Sequence, residues 1–569
     1  MNAFGVNVEG LDVAVFLAQA RLVAALGSLA WVALVLRWRR PSVVLGGVLA
    51  ANAFVWLVTS WPLQRIYALG PSADRMTNVA WCTVVAAGGS PLETAQVGQL
   101  HFEPLWGVLV ASLSGFDPDR VLALDPFLSL AVALLFPAAL YAGLKPAEEG
   151  AAWSTWERAA AAMAGSLLLA APLDYVSTYG VPWSLMFLLK PNHALALVLF
   201  PLFLRAFVRL RGWGSRVLVG LLLHVLAWAF VLHMAYVAVG LAVYAAWSWL
   251  TRQPDARRVL ADVATVLGVN VLIVSPYLVM LFVGYPFLTP LPIHQIVPTS
   301  PHLLEMTFRL GPLFPLGAWG VVVAYRRGDR LGRVWSAQVA GAYLIWLAYL
   351  VLSAMHEARE RDEIAFWIRM LMATSAGIGA WDLCSRLAAR WQGTRATPAR
   401  RAAALMVVAL PWCLPCWWQP DRMDRYFTAS LAPLPRRIAE PALYLRRHAE
   451  PGAVVASDPD YSRWLSALGA RRVLRDGHMH LTSYQPERDR VLYTLLRDGD
   501  AARVAAAAER FQIRYLVVTP ALLAAHPGVT LEDLASRAHW DPVAMTEEDD
   551  GDPVVVFRLL REPGPGTRG

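Results

Sequence analysis

A small set of ionisable residues stands next to or inside long apolar segments of this chain. Asp74 opens the segment DRMTNVAWCTVVA, Lys190 and His193 lie in LLKPNHALAL, and Arg369 lies in FWIRMLMA. Ionisable groups within a bilayer or at its rim are energetically costly, so each is a candidate for function. The candidates that we select are Asp74, His101, Glu103, Asp174, Lys190, His193, Glu357 and Arg369.

These residue types suit chemistry on a lipid-linked anionic donor. A polyprenyl phosphate holds its phosphate at headgroup level, where Arg369 and Lys190 can bind it. A carboxylate such as Asp74 can remove a proton from an acceptor hydroxyl while C1 of the sugar is attacked. Alternatively it can help to hold a divalent cation, Mg²⁺ or Mn²⁺. One carboxylate acting as base implies direct displacement with inversion.

The composition indicates a membrane protein with many crossings. The 569 residues are 57% hydrophobic and 16% charged, with a mean hydropathy of +0.45. The formal charge is +8, but the basic residues cluster in short stretches between apolar runs. Positive-inside topology explains such clusters, so we expect no nucleic-acid partner.

A membrane helix needs about 20 apolar residues. The sequence predicts about twelve transmembrane helices, and a single long run at 216–250 is divided by a turn at His233. The predicted crossings are 11–36, 42–61, 124–143, 158–177, 184–208, 216–232, 234–250, 258–283, 307–325, 334–354, 365–386 and 401–418.

Arginine-rich connections define the expected orientation. The remaining connections, including a first outer loop at 62–123, then lie outside the cytoplasm. We expect an integral protein of the bacterial inner (plasma) membrane, with an extracytoplasmic active site. The connections expected in the cytoplasm are 37–40, 209–216, 251–258, 325–333 and 385–401.

Residues 419–569 differ in character from the transmembrane domain at 1–418. AVVAS at 453–457, RYLVVT at 514–519 and VVVFRLL at 554–560 are typical of buried strands. The segment 491–511 predicts two helices joined at RDGD. Strands that alternate with helices predict a C-terminal extracytoplasmic α/β domain.

Simpler interpretations exist for several candidates. Asp74 suits the N-cap of a helix, and that helix is expected to lie along the membrane surface. Lys190 and Arg369 can extend towards the interface without binding anything. Asp174 can be a rim carboxylate, and Glu357 lies in the charged loop HEARERDEI.

The pattern resembles the GT-C superfamily of membrane glycosyltransferases, which use polyprenyl-phosphate-linked sugars. DRMTNVAWCTVVAAGGSP followed by HFEPLWGVLVASLSGF is similar to that superfamily's first outer loop, in which an Asp opens an amphipathic helix. The resemblance implies that Asp74 is the catalytic carboxylate. FWIRMLMATSAGIGA resembles the late helix whose Arg approaches the donor phosphate, which implies that role for Arg369.

A second similarity lies in VVASDPDYSRWLSALGARRVLRDG, which resembles the region around the W-W-D-Y-G motif of oligosaccharyltransferase catalytic subunits. Asp460 and Tyr461 match, but no tryptophan pair precedes them and Ser462 replaces the glycine. The alternative is a strand-to-helix turn with an Asp cap. The acidic pair of the family's second outer loop is also missing, because Asp174 stands alone.

The function expected from these features is sugar transfer from a polyprenyl-phosphate donor to a glycan, lipid or protein acceptor, with membrane lipids around the protein. Two alternatives remain at this point. A secondary transporter would show repeated halves and polar groups at the membrane centre. A non-catalytic membrane protein could keep the fold without the chemistry.

Overall fold

We analysed a computed structural model of the chain. It describes residues 13–60, 73–98, 103–147, 153–167, 191–279, 313–354, 362–391, 397–416, 434–476, 485–548 and 551–560. The helices before the C-terminal sheet are α1 (Val13–Trp38), α2 (Pro41–Ser60), α3 (Ala73–Ala86), α4 (Leu105–Leu113), α5 (Pro118–Gly143), α6 (Thr155–Leu167), α7 (Pro191–Val208), α8 (Trp213–Ala229), α9 (Val231–Leu250), α10 (Ala256–Val279), α11 (Leu313–Arg326), α12 (Arg330–Ala354), α13 (Asp362–Trp391), α14 (Pro398–Cys416) and α15 (Arg436–His448).

Apolar helices dominate this part of the chain, and the described part of each of the twelve segments predicted to cross the membrane is largely helical. Those long and apolar enough to span a bilayer are the stretches Ala18–Trp38, Pro118–Gly143, Pro191–Val208, Val231–Leu250 and Ala256–Pro276. The described helices therefore include five candidate spans by length and composition, and the count of twelve crossings stays a prediction.

Three of the arginine-rich connections, 209–216, 251–258 and 325–333, meet at one end of the helical bundle, which we call the arginine end. Asp262 of α10 is 1% exposed and accepts hydrogen bonds from Arg216 Nε and Arg330 Nη2, each at 2.6 Å. Arg258 Nη2 donates to the carbonyl of Leu210 at 2.9 Å. These contacts join the connections before α8, α10 and α12 on one side, as the alternation of basic loops predicts.

The long apolar run at 216–250 breaks at Phe230 instead of the predicted His233. Phe230 is extended, with φ −161° and ψ 108°, and it separates α8 from α9. His233 therefore lies in the first turn of α9. Asn270 of α10 contacts Met234, while Arg216 pairs with Asp262, so α9 runs antiparallel to both α8 and α10.

Close approach of helix backbones packs the bundle around α13. A Cβ at Gly320 of α11 would lie 1.8 Å from the carbonyl oxygen of Ser375, and one at Gly377 would lie 2.7 Å from the carbonyl oxygen of Ala160 in α6. Large aromatic side chains fill the core between these helices. The fully buried aromatic residues include Trp106, Phe136, Phe200, Phe203, Phe207, Tyr236, Tyr244, Trp335, Trp346 and Trp367.

The C-terminal part forms a mixed five-stranded sheet in the order β2-β1-β3-β5-β4, with parallel β2, β1 and β3 and an antiparallel β4–β5 hairpin. The three predicted strands and the two helices joined at RDGD are confirmed. Its elements are β1 (Val454–Ala456), α16 (Pro459–Gly469), β2 (Arg472–Val473), α17 (Gln485–Arg497), α18 (Ala501–Arg510), β3 (Ile513–Val518), α19 (Pro520–Ala525), α20 (Leu531–Ser536), β4 (Trp540–Glu548) and β5 (Gly551–Leu559).

Candidate functional site

Glu103 joins three helices at the end of the bundle opposite the arginine end, which we call the Glu103 end. Glu103 lies two residues before α4, and its carboxylate accepts a hydrogen bond from Asn192 Nδ2 at 2.5 Å. The same carboxylate lies 3.4 Å from the backbone N–H of Val231, the first residue of α9. A negative charge at a helix N-terminus is favourable. Glu103 therefore fixes the starts of α7 and α9 relative to the first loop.

A cluster of histidine and aromatic rings lies beside this junction. The His193 ring lies 3.4 Å from the Phe230 ring and 5.6 Å from the His233 ring, measured between centroids. His233 in turn lies 5.0 Å from the ring of Trp367 in α13. His233 is fully buried, and neither of its ring nitrogens has a hydrogen-bond partner within the described ranges. The starts of α7, α9 and α13 thus meet at the Glu103 end.

Arg369 follows Trp367 by two residues, about two turns into α13. Its side chain is 4% exposed. A buried guanidinium in an apolar helix must be offset by polar or anionic groups, which makes Arg369 a functional candidate on physical grounds as well. It lies in the half of α13 that begins at the Glu103 end.

Asp125 is a buried carboxylate that the sequence reasoning missed. It is 1% exposed in α5, and its Oδ1 accepts a hydrogen bond from Trp106 Nε1 of α4 at 3.1 Å. The available signal was an acidic residue in the second position of a predicted crossing, 124–143, which begins six residues later than α5 itself. Asp125 therefore links α4 to α5.

Asp74 is the second residue of α3, because the helix begins at Ala73. It therefore lies inside the first turn and not at the N-cap position, and its side chain is outside what the structure describes. The expectation that α3 lies along the membrane surface stays a prediction, but the helix is covered by protein. Its Cys82 and Val85 pack with Trp106 and the bundle, whereas Met76 and Val79 pack with the C-terminal domain. Both faces of α3 are buried in protein.

Several predicted site residues lie outside the described residues, and their assignments stay predictions. These are His101, Asp174, Lys190 and Glu357. Among the residues that are described, no group of three or more His, Cys, Asp or Glu side chains has the arrangement of a metal site. A metal site that uses Asp74, Asp174 or Glu357 stays a prediction, because the side chains of these residues lie outside what the structure describes.

The DPDYS segment forms a capped strand-to-helix turn, as the simpler interpretation predicts. Asp458 Oδ1 accepts a hydrogen bond from the backbone N–H of Tyr461 at 2.9 Å, and Thr519 Oγ1 donates to Asp458 Oδ2 at 2.6 Å. Tyr461 donates its hydroxyl to the carbonyl of Arg437, and burial raises the pKa of Tyr461. The Asp460 side chain is 89% exposed and pairs with Arg463. Asp458 and Tyr461 therefore have structural partners of their own.

The fold is similar to that of an archaeal oligosaccharyltransferase, although no protein-family model and no curated protein match the sequence. The archaeal oligosaccharyltransferase AglB from Archaeoglobus fulgidus, solved with an inhibitory peptide and a dolichol-phosphate, aligns at a TM-score of 0.50 with 13% identity over 83% of this chain and 69% of its own. ArnT from Cupriavidus metallidurans, bound to undecaprenyl phosphate, gives 0.49 with 15% identity over 90% and 97% of the two chains. Arabinofuranosyltransferase AftD from Mycobacteria gives 0.48 with 16% identity over 91% and 41%.

The similarity to AglB bears out the expected architecture in part, as an apolar helical bundle followed by a C-terminal sheet. At 13% identity the likeness is one of fold. The chemistry must therefore be argued from the residues of this chain.

Proposed function

We propose that the chain is an integral membrane glycosyltransferase of the GT-C type. It moves a sugar from a polyprenyl-phosphate-linked donor to a glycan, lipid or protein acceptor outside the cytoplasm. Two observations together carry this proposal. The fold is similar to that of AglB, and a buried arginine, Arg369, lies in the half of the bundle nearest the Glu103 end. That end also carries Glu103 and His193 and contacts the helix that contains Asp74.

The donor class is supported by the chemistry of the basic residues and by one neighbour. AglB was solved with a dolichol-phosphate, so its fold accommodates a lipid phosphate. In this chain Arg369 and Lys190 are the proposed phosphate contacts. A guanidinium can bind two phosphate oxygens at once and remains charged in buried surroundings.

The reaction that fits these residues is a single displacement at the anomeric carbon. Asp74 accepts the proton of the acceptor hydroxyl while the oxygen forms a bond to C1. The bond from C1 to the phosphate oxygen breaks, and its electron pair leaves with the polyprenyl phosphate. Arg369 and Lys190 offset the charge that develops there. This path inverts the configuration at C1.

The other candidates have supporting places in the proposal. Asp174 and Glu357 are proposed as further catalytic carboxylates after Asp74. His101, His193 and Glu103 are proposed as further substrate contacts after Arg369 and Lys190. If a divalent cation takes part, Mg²⁺ or Mn²⁺ fits carboxylate ligands best, and it would neutralise the donor phosphate. The proposed setting is the bacterial inner membrane, with the site and the C-terminal domain facing outward.

The direct test is transfer by membranes that contain the chain. Vesicles with the protein, and matched vesicles without it, are incubated with radiolabelled polyprenyl-phosphate sugars, and the label released from the donor to any other molecule, lipid or not, is measured after chromatographic separation. We expect protein-dependent release that falls strongly in Arg369→Met. The control is Arg386→Met, which alters an exposed arginine on the same helix that pairs with Asp382.

Release that is equal with and without the protein for every donor supplied would refute the proposed function. Full activity in Arg369→Met would instead remove Arg369 from the donor site and leave the reaction class intact. Because Arg386 lies at the other end of α13, equal losses in the two variants would indicate a general effect on the helix.

A further inference from the structure

The helix that carries Asp74 shares a hydrophobic core with the C-terminal domain. Met76, Val79 and Val84 of α3 pack in one buried cluster with residues that follow them by more than 350 positions. The partners in this cluster include Ala442, Leu445, Val455, Leu465, Leu468, Val473 and Val517. A helix of 14 residues is marginally stable alone, so α3 depends on packing, and this cluster supplies the packing on one of its two buried faces.

The loop that follows α3 extends the C-terminal sheet. The backbone N–H of Val473 in β2 donates to the carbonyl of Ala95 at 2.8 Å, and the N–H of Val97 donates to the carbonyl of Val473 at 3.0 Å. Gln96 and Val473 therefore form a parallel bridge at the outer edge of β2. This pairing fixes residues 95–97 along the strand direction as well as against the surface.

Buried polar contacts also hold residues 95–97 against the C-terminal domain. Arg488 of α17 is 3% exposed, and its two terminal nitrogens donate to the carbonyls of Leu474 at 2.5 Å and Val97 at 2.6 Å. The carbonyl of Val97 belongs to the first loop and that of Leu474 to the sheet domain. Gln96 Oε1 accepts from the backbone N–H of Asp476 at 2.8 Å.

A further contact reaches α3 itself. The buried Thr83 hydroxyl donates to the carbonyl of Ser466 in α16 at 3.1 Å, and it also lies 3.0 Å from the carbonyls of Val79 and Ala80 in its own helix. At the other side of the loop, Arg446 pairs with Asp119 at the start of α5 at 2.8 Å. The domain thus holds the first loop at both of its described ends.

We propose that the C-terminal domain positions the Asp74 helix for catalysis, and that Arg488 is a positioning residue for the reaction. This inference rests on the proposed function, since it assigns to the domain the placement of a carboxylate that acts on the acceptor. A misplacement of about 1 Å can lower the rate about 100-fold. Packing that holds the face of α3 turned away from the bundle therefore helps to keep the transfer rate high. Arg488 touches neither donor nor acceptor and acts through the loop backbone.

Two measurements on the full-length protein in lipid nanodiscs test the inference. The first is amide hydrogen exchange, which needs no activity. In Arg488→Met we expect exchange of the α3 and 95–97 amides to rise about 10-fold or more, while α7 and α9 are unchanged. The matched control is Arg497→Met on the same helix, because Arg497 donates to the carbonyl of Pro527 inside the domain.

The second measurement is the split between kcat and KM for sugar transfer. We expect Arg488→Met to lower kcat about 10- to 100-fold with the donor KM unchanged, since donor contacts lie elsewhere. Arg488→Lys keeps the charge and can reach one of the two carbonyls, so it should restore part of kcat. Gln96→Leu changes only the loop side of the junction, and it replaces Arg488→Met if that variant does not fold.

The outcomes separate the two proposals. If the wild-type protein transfers no sugar, the proposed function fails, and faster exchange of α3 in Arg488→Met still supports the structural part of the inference. If α3 exchanges at the wild-type rate in both Arg488→Met and Gln96→Leu, the inference is overturned. Wild-type kcat in a variant whose α3 exchanges faster would overturn it as well.

Discussion

Removal of the Glu103 carboxylate should loosen the junction of α4, α7 and α9 by an amount that its contacts define. The 2.5 Å hydrogen bond from Asn192 is charge-assisted, and such bonds contribute about 1.5–3 kcal/mol to stability. The contact to the N–H of Val231 is long at 3.4 Å, so it acts mainly through the charge at the α9 N-terminus, about 0.3–1 kcal/mol. Because Glu103 is half-buried, we expect Glu103→Ala to lower the free energy of unfolding by about 2 kcal/mol, at the low end of that sum.

A double-mutant cycle isolates the pair. Glu103→Ala, Asn192→Ala and the double variant are unfolded in mixed detergent micelles, and the coupling energy is computed from the three changes in the free energy of unfolding. We expect a coupling of about 1.5–3 kcal/mol. The control pair is Arg558 and Asp541, whose contact is exposed and should couple by less than about 1 kcal/mol. Single effects that add within about 0.3 kcal/mol would refute the role given to Glu103.

Two further predictions concern the bundle itself. Asp262→Asn should destabilise the protein by about 3–5 kcal/mol, because Arg216 and Arg330 would lose the buried carboxylate that both contact, and a midpoint of thermal unfolding close to wild type would contradict this. Gly320→Ala should cost about 1–3 kcal/mol or more, since its Cβ would lie 1.8 Å from a carbonyl oxygen of α13. Gly46→Ala meets no atom within 4 Å and should cost nothing, so equal unfolding midpoints for the two glycine variants would show that the close helix approach is wrong.

The sequence predicts those helices and strands that are buried enough to need a continuous run of apolar residues. The strands at 454–456, 513–518 and 551–559 follow from short runs rich in valine, and the basic clusters predict the arginine end. The strand at 540–548 was missed, because WDPVAMTEE carries a proline and acidic residues that are tolerated at the edge of a sheet. An edge strand needs only one partner, here β5.

The candidate site was predictable only in part, because its geometry depends on contacts between distant residues. The break at Phe230 has no glycine or proline signal, and the N-terminus of α9 that follows it meets a carboxylate 128 positions earlier in the chain. Burial of α3 in protein was missed for a related reason. An apolar helix face has the same residue pattern whether it meets lipid or another domain, and its partner here is encoded more than 350 residues later.

The most direct measurement of the central proposal is the transfer rate of Asp74→Asn relative to wild type at saturating donor, in the same vesicles. Asparagine keeps the size of the side chain but can neither accept the acceptor proton nor bind a cation as strongly. We expect a loss of about 10²- to 10⁴-fold with donor binding retained and α3 still protected from exchange. A rate equal to that of the wild type would contradict the assignment of Asp74 as the catalytic carboxylate.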